Sequence, residues 1–286
     1  MKGGHISHIL EINLAMIFIS TSGVLGRYVD LPVPVTIGFR ALLAFFVLWL
    51  FCRYKRIPLH VKRADAARIG VAALLMAMHW VTYFYALQWS NVAIGMLTLF
   101  TYPIFTALLE PLVLKTKFQP MHLLLCALVL VGIYFLSPTF DLSSGYTMAV
   151  IIGLFSALAY ALRNLLLKGK VAHYNGSTLM VYQTGITAFL LLPFIGMADF
   201  GEVMYQWKGL LALALVTTAL GHTLFLMTFR FFSMTTVSIL SSVQPVYGIL
   251  MGVVFLSELP DAETILGGIF ILGSVVIESV RSKSLA

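Results

Sequence analysis

Acidic side chains are scarce in this sequence: 11 Asp and Glu occur among 286 residues, and none falls in the middle of an apolar run. Glu11, Glu110 and Glu278 come nearest, each close to one end of its run. Acidic groups at mid-membrane depth commonly relay protons or hold cations, so their absence argues against a strongly coupled proton antiporter and against a cation pump. Charge of either sign makes up only 10% of the chain, against about 25% in an average soluble domain. Only two cysteines occur, Cys52 and Cys126, with no CxxC or Cys/His spacing. Neither a disulfide framework nor a metal site is indicated, and both read as small buried hydrophobes. No P-loop is present, which excludes ATP as the energy source, and no GxSxG, HExxH or paired Asp-rich motif marks an intramembrane enzyme. No cofactor, metal or catalytic residue is expected.

What the chain has is apolar length. Hydrophobic residues make up 60% of it, and runs near the ~20 residues needed to cross a bilayer recur from end to end. Ten spans are expected, at approximately 8–28, 34–51, 67–87, 91–113, 119–136, 146–167, 177–197, 207–229, 234–256 and 263–280. Residues 1–286 then form a single integral membrane domain with short loops. The first run lacks a basic segment followed by a small-residue cleavage site, and reads as a retained span. Most of the 18 basic residues fall in alternate connections: Lys2; Arg53, Lys55, Arg56, Lys62, Arg63 and Arg68; Lys115 and Lys117; Lys168 and Lys170; Arg230; Arg281 and Lys283. The other connections hold only Arg27 and Lys208, beside Asp30, Asp141, Asp199, Glu202, Glu258, Asp261 and Glu263. Short loops rich in Lys and Arg stay in the cytoplasm, so both termini are expected inside. Anionic inner-leaflet lipid accounts for the net charge of +7, and no nucleic-acid partner is implied.

The second half repeats the first at an offset of about 142 residues. Thr101-Tyr-Pro-Ile-Phe-Thr-Ala-Leu-Leu aligns with Val243-Gln-Pro-Val-Tyr-Gly-Ile-Leu-Met, which brings Pro103 onto Pro245. Upstream, Tyr83-Phe-Tyr falls on Phe225-Leu-Met, and the run from Arg40 falls near the run from Gln183. Repeat A covers about 8–138 and repeat B about 146–281. Five spans is an odd number, so the second copy enters the bilayer upside down, the pattern of an alternating-access carrier. Equivalent turns agree with inversion: Lys115-Thr-Lys117 is basic, whereas its counterpart Ser257-Glu-Leu-Pro-Asp261 is acidic. The expected fold class is an all-α membrane protein of ten transmembrane helices in two inverted five-helix repeats.

The five-plus-five repeat, the Arg40-Ala-Leu-Leu-Ala-Phe run, the paired Tyr102-Pro103 and Gln244-Pro245 spans and the segment Tyr83-Phe-Tyr-Ala-Leu-Gln-Trp-Ser-Asn-Val-Ala together resemble the drug/metabolite transporter superfamily, in its ten-helix EamA-type branch. The resemblance covers essentially the whole chain. It implies an exporter of amino acids or other small metabolites, in the inner membrane of a bacterium. It also implies a central cavity lined mainly by spans 1, 3, 4, 6, 8 and 9, with spans 5 and 10 packed at one side.

Strongly polar residues inside spans are costly, and each needs a reason. Arg163 is read as a cation for a substrate carboxylate near the inner mouth, or as a side chain snorkelling to the headgroups beside Lys168. Arg40 and its repeat partner Gln183 read as structural anchors that bond backbone carbonyls freed at broken helices. His79 and His222 fall mid-span and nearly coincide in the repeat. They are expected to line the cavity; proton coupling and a plain interhelical hydrogen bond are the alternatives for them. Trp80, Tyr83, Tyr102, Tyr160 and Gln244 complete the expected substrate site, since ligand sites combine apolar walls with few polar groups. Tyr85, Trp89 and Trp207 read as interfacial belt residues. Pro103 and Pro245 should kink their helices, as gates or as static packing features. Gly248 and Gly252 form a GxxxG motif for close helix approach.

The leading expectation is a secondary carrier exporting small metabolites, amino acids first, as a monomer or homodimer. A nucleotide-sugar or drug carrier and a non-transporting receptor or scaffold are the alternatives. Cationic drugs would call for a mid-membrane Glu, and nucleotide sugars for more positive charge than Arg40 and Arg163 supply.

Overall fold

Inside a bilayer no water satisfies the backbone, so apolar runs fold as helices that bond internally. A computed structural model describes residues 2–114, 119–136, 141–231, 237 and 240–284. Its first half contains α1 (Lys2–Tyr28), α2 (Val33–Tyr54), α3 (Arg63–Trp89), α4 (Val92–Leu99), α5 (Tyr102–Leu114) and α6 (Met121–Leu136). Its second half contains α7 (Gly145–Lys168), α8 (Gly176–Leu190), α9 (Leu192–Gly196), α10 (Phe200–Tyr205) and α11 (Trp207–Ala212). A π-helical stretch (Leu213–His222), α12 (Thr223–Thr228), α13 (Gln244–Leu256) and α14 (Ala262–Ser284) follow. No strand occurs among the described residues. Val33–Tyr54, Arg63–Trp89, Val92–Val113, Gly145–Lys168 and Trp207–Thr228 are long and apolar enough to cross a membrane. Met121–Leu136, Gln244–Leu256 and Ala262–Ile277 are shorter apolar helices. The chain is an all-helical integral membrane protein. Lys115 and Lys117, residues 234–236, and the side chains of Lys2, Glu278, Arg281 and Lys283 lie outside what is described.

Local chemistry sets the helix ends. Asn91 and Asn175 cap α4 and α8, their side-chain oxygens accepting from Ile94 N and Ser177 N at 2.9 Å each. Pro34 occupies the first turn of α2, where its missing N–H is harmless. At Pro103 the helix is interrupted for two residues, Phe100 and Thr101, within the span Val92–Val113. Helix α4 ends at Leu99, α5 begins at Tyr102, and Pro103 takes the second position of the new helix. Pro245 stands second in α13 in the same way. Both prolines thereby avoid the interior position where they would remove a ladder bond. The span expected at 177–197 is interrupted too, with α9 starting just before Pro193. The π-helical stretch went unforeseen, because hydropathy does not report which carbonyl a backbone N–H selects.

The packing maps onto itself when the halves are exchanged. Helix α1 packs against α13, the π-helical stretch and α12, while α7 packs against α3, α4 and α5. Helix α2 packs on α8, and α6 on α14. The α6–α14 contact is backbone to backbone: a Cβ at Gly132 would lie 2.8 Å from the Gly267 carbonyl, and one at Gly267 2.8 Å from the Gly132 carbonyl. Between α1 and α13, the Met96 side chain of α4 fills space left by Gly23 and Gly248, and Val92 that left by Gly23 and Gly252. Without a hydrophobic drive between helices, such close approach is what holds them.

Polar ties gather at two ends of the bundle. At one, Arg27 Nε donates to Glu258 Oε1 at 2.9 Å, and Arg27 Nη1 donates to the Gln88 carbonyl at 3.2 Å. Glu258 Oε2 accepts from Val92 N at the start of α4 at 2.8 Å. Gly145 lies against the Trp89 carbonyl and Gly209 against Val29, so the connections around residues 29, 90, 144, 206 and 258 share this end. At the other, Asp65 accepts from Lys170 Nζ at 2.5 Å and from the Tyr174 hydroxyl at 2.7 Å. Lys168 Nζ donates to Glu110 at 2.6 Å, and Arg230 donates to the carbonyls of Val171 and Tyr174.

Candidate functional site

Between the two ends, every element that meets at the centre contributes a polar or aromatic side chain. A cavity of about 10 Å³ lies there, lined by Ile19 and Ser22 of α1, Arg40 of α2, and His79, Trp80 and Tyr83 of α3. Leu99, Phe100 and Tyr102 at the α4–α5 break, Tyr160 of α7, His222 of the π-helical stretch and Gln244 of α13 complete the lining. That volume holds about one water, so the centre is closed to any metabolite in this conformation. Every residue expected at a substrate site lines the cavity except Arg163.

The aromatic rings interlock. His79 stacks on Tyr160 with centroids 4.5 Å apart, and Tyr160 meets Tyr102 edge-on at 5.0 Å. Trp80 tilts over His222 at 5.6 Å. The Tyr102 hydroxyl is 2.8 Å from Ser241 Oγ, joining the two helix breaks across the halves. Ser156 orients His79: its hydroxyl donates to the His79 carbonyl at 3.0 Å and lies 2.8 Å from His79 Nδ1. The one hydroxyl hydrogen goes to the carbonyl, so satisfying both contacts makes Nδ1 the donor.

The two buried arginines lie in surroundings opposite to those the sequence suggests. Arg163 was the expected substrate cation, yet its Nε donates to Gln183 Oε1 and its Nη1 to Asn164 Oδ1, both at 2.7 Å. Gln183 in turn donates to the Leu179 carbonyl at 3.1 Å, so the group ties α7 to α8 behind the cavity wall, with the Arg163 Cζ 5.8 Å from the centre of the Tyr160 ring. Snorkelling does not occur either, since Arg163 is 0% exposed within the protein. Arg40 was the expected anchor, yet it lines the cavity. Its Nε donates to Thr218 Oγ1 at 2.6 Å, its Cζ lies 4.4 Å from the centre of the Trp80 ring, and it bonds no backbone carbonyl among the described residues. Thr218 is locked for that task, since its own hydroxyl donates to the Leu213 carbonyl at 2.9 Å within the π-helical stretch.

Ser22, Ser156 and Thr218 escaped the sequence reading. Small hydroxylated residues are common in apolar spans and carry no signal until a partner is known. Pro103 and Pro245 place Tyr102 and Gln244 at the first helical positions beside the cavity, while Gly248 and Gly252 face α4 and not the cavity. A larger cavity of about 290 Å³ between α2, α8 and the π-helical stretch has nearly apolar walls and does not reach these groups. Among the described residues no His, Cys, Asp and Glu cluster could hold a metal ion.

Comparison with known proteins bears on the whole chain. The sequence profile of the EamA-like transporter family matches twice, over residues 7–137 and 147–280. The uncharacterised transporter YxxF of Bacillus subtilis (strain 168) is 23% identical over 285 residues, 97% of this chain and 91% of its own. The pseudopaline exporter CntI of Pseudomonas aeruginosa (strain UCBPP-PA14) is 25% identical over 255 residues, 88% of each chain. A crystal structure of a protein 15% identical in sequence superposes with a TM-score of 0.71 over 98% of both chains, a likeness of fold alone.

Proposed function

Since the chain belongs to the EamA-like transporter family, we propose that it is a secondary carrier exporting small metabolites, amino acids or related compounds first, by alternating access. The observation that carries this reading is the closed central cavity to which both halves contribute. A cavity walled by aromatics and too small for a metabolite suits an occluded state between inward-open and outward-open forms. Export, and not uptake, is favoured by the likeness to CntI, whose name describes an exporter.

Ten crossings in two inverted repeats, with both termini in the cytoplasm of a bacterial inner membrane, are part of this proposal. Three observations support them. The family profile matches once in each half, and the packing survives exchange of the halves. Connections assigned to one side by their charge also gather at one end of the bundle.

Two ion pairs serve as the doors. Arg27–Glu258 ties the last turn of α1 to the end of α13, and Lys168–Glu110 ties the last turn of α7 to α5. The two pairs join corresponding helices of the two halves at opposite ends, although Glu110 and Glu258 are not equivalent positions of the repeat. Partly exposed pairs contribute only about 0–1 kcal/mol, which lets either one open without unfolding the bundle.

Counterflow in proteoliposomes tests the carrier reading, using labelled aromatic, aliphatic and basic amino acids with and without a pH gradient. Saturable exchange of one class is expected, and the gradient reveals any proton coupling through His79 and His222. No exchange of any solute by a folded preparation would instead favour a receptor or scaffold.

A further inference from the structure

Arg40 is wholly buried and ends in two nitrogens, Nη1 and Nη2, that have no hydrogen-bond partner. Trp80 Nε1, a donor only, is buried without a partner on the same cavity wall. No Asp or Glu lines that cavity, and none is among the buried residues described. A buried guanidinium without an anion is costly, and a structural arginine would use its terminal nitrogens as Arg163 uses Nη1. Arg40 instead commits only Nε, to Thr218, and holds its Cζ 4.4 Å from the centre of the Trp80 ring. The Thr218 bond and the Trp80 ring hold the guanidinium in place and leave its two terminal nitrogens without a partner. Two parallel N–H groups of one guanidinium match the two oxygens of a carboxylate.

We infer that Arg40 is the substrate-anion ligand of this carrier, so that its substrates are carboxylates with an apolar or aromatic remainder. The inference rests on the carrier reading for the word substrate, but the anion site stands on geometry alone. Trp80 Nε1 donates to the same carboxylate, and the rings of Tyr102, Tyr160 and Phe100 take the remainder. Cationic solutes are rejected by the uncompensated guanidinium, and neutral amides by their lack of charge. The cavity must widen from its present size to admit any of these, which couples entry of the anion to opening of one door.

Matched acid and amide pairs test this on the full-length protein in detergent: phenylalanine with phenylalaninamide, leucine with leucinamide, and 3-phenylpropionate with 3-phenylpropionamide. Binding is read as a shift in melting temperature and as quenching of tryptophan fluorescence. At least one acid is expected to bind about tenfold or more tightly than its amide. Arg40→Gln should abolish that preference, and Arg40→Lys should restore part of it, as a point charge without the fork. Equal binding of acid and amide, binding of no acid, or a preference surviving in Arg40→Gln overturns the inference. If Arg40→Gln fails to fold, the acid-to-amide ratio of the wild type decides alone. Counterflow of the same pairs separates the two readings. Exchange without acid preference leaves the carrier standing and removes the Arg40 site. Acid-selective binding without exchange does the reverse.

Discussion

At the scale of single residues, neighbours far away in sequence decide what each polar group can do. His79 is conspicuous as a mid-span imidazole, but Ser156 gives it an orientation and makes Nε2 the accepting nitrogen. Tyr102 was conspicuous beside a proline, but Ser241 connects it to the opposite half. His79→Ala or Tyr102→Ala should each lower the counterflow rate roughly tenfold, in line with one lost buried interaction of about 1–2 kcal/mol. Folded yield by size-exclusion chromatography should change little, and wild-type rates in both variants would remove these side chains from the site. The arginines show where sequence reading stops. Arg40 and Arg163 are both lone cations in apolar runs, and only the partners of each, Thr218 and Gln183, separate an open guanidinium from a satisfied one.

At the scale of elements, glycine and proline positions were legible while their consequences were not. The GxxxG motif of Gly248 and Gly252 announced close packing, and α4 is its partner. The less yielding approach is at Gly132 and Gly267, where a Cβ on either would meet the other's carbonyl oxygen at 2.8 Å, a backbone atom that cannot swing away. Gly267→Leu should therefore cost about 1–3 kcal/mol or more by overpacking, seen as a lower melting temperature in detergent. Gly248→Ala should cost less, because the atom it meets is the mobile Met96 methyl. The two ion pairs make a directional prediction. In a background without Cys52 and Cys126, Ser22→Cys reports cavity access to an impermeant maleimide. Glu258→Gln should raise its labelling from the α13 end only, and Glu110→Gln from the opposite end only. Identical labelling in both variants would show that the pairs are not doors.

At the scale of the whole molecule, Ser143→Cys and Arg56→Cys in that same background should label from opposite membrane faces, since these exposed residues sit in connections at opposite ends. Labelling from one face would break the assignment of ends. Hydropathy alone determined that the chain is helical and membrane-embedded, because helix length must match a bilayer whatever the neighbours are. Repetition at a fixed offset determined that the halves are alike, because the repeated positions are the prolines and imidazoles that terminate helices or punctuate their interiors. Tertiary structure alone decided that the helices break at Pro103 and Pro245, that a π-helical stretch presents Thr218, and that Arg40 and not Arg163 reaches the cavity. Those outcomes depend on which polar atoms lie within about 3 Å of one another, and residues 40 and 218, or 163 and 183, acquire that proximity only when the halves pack.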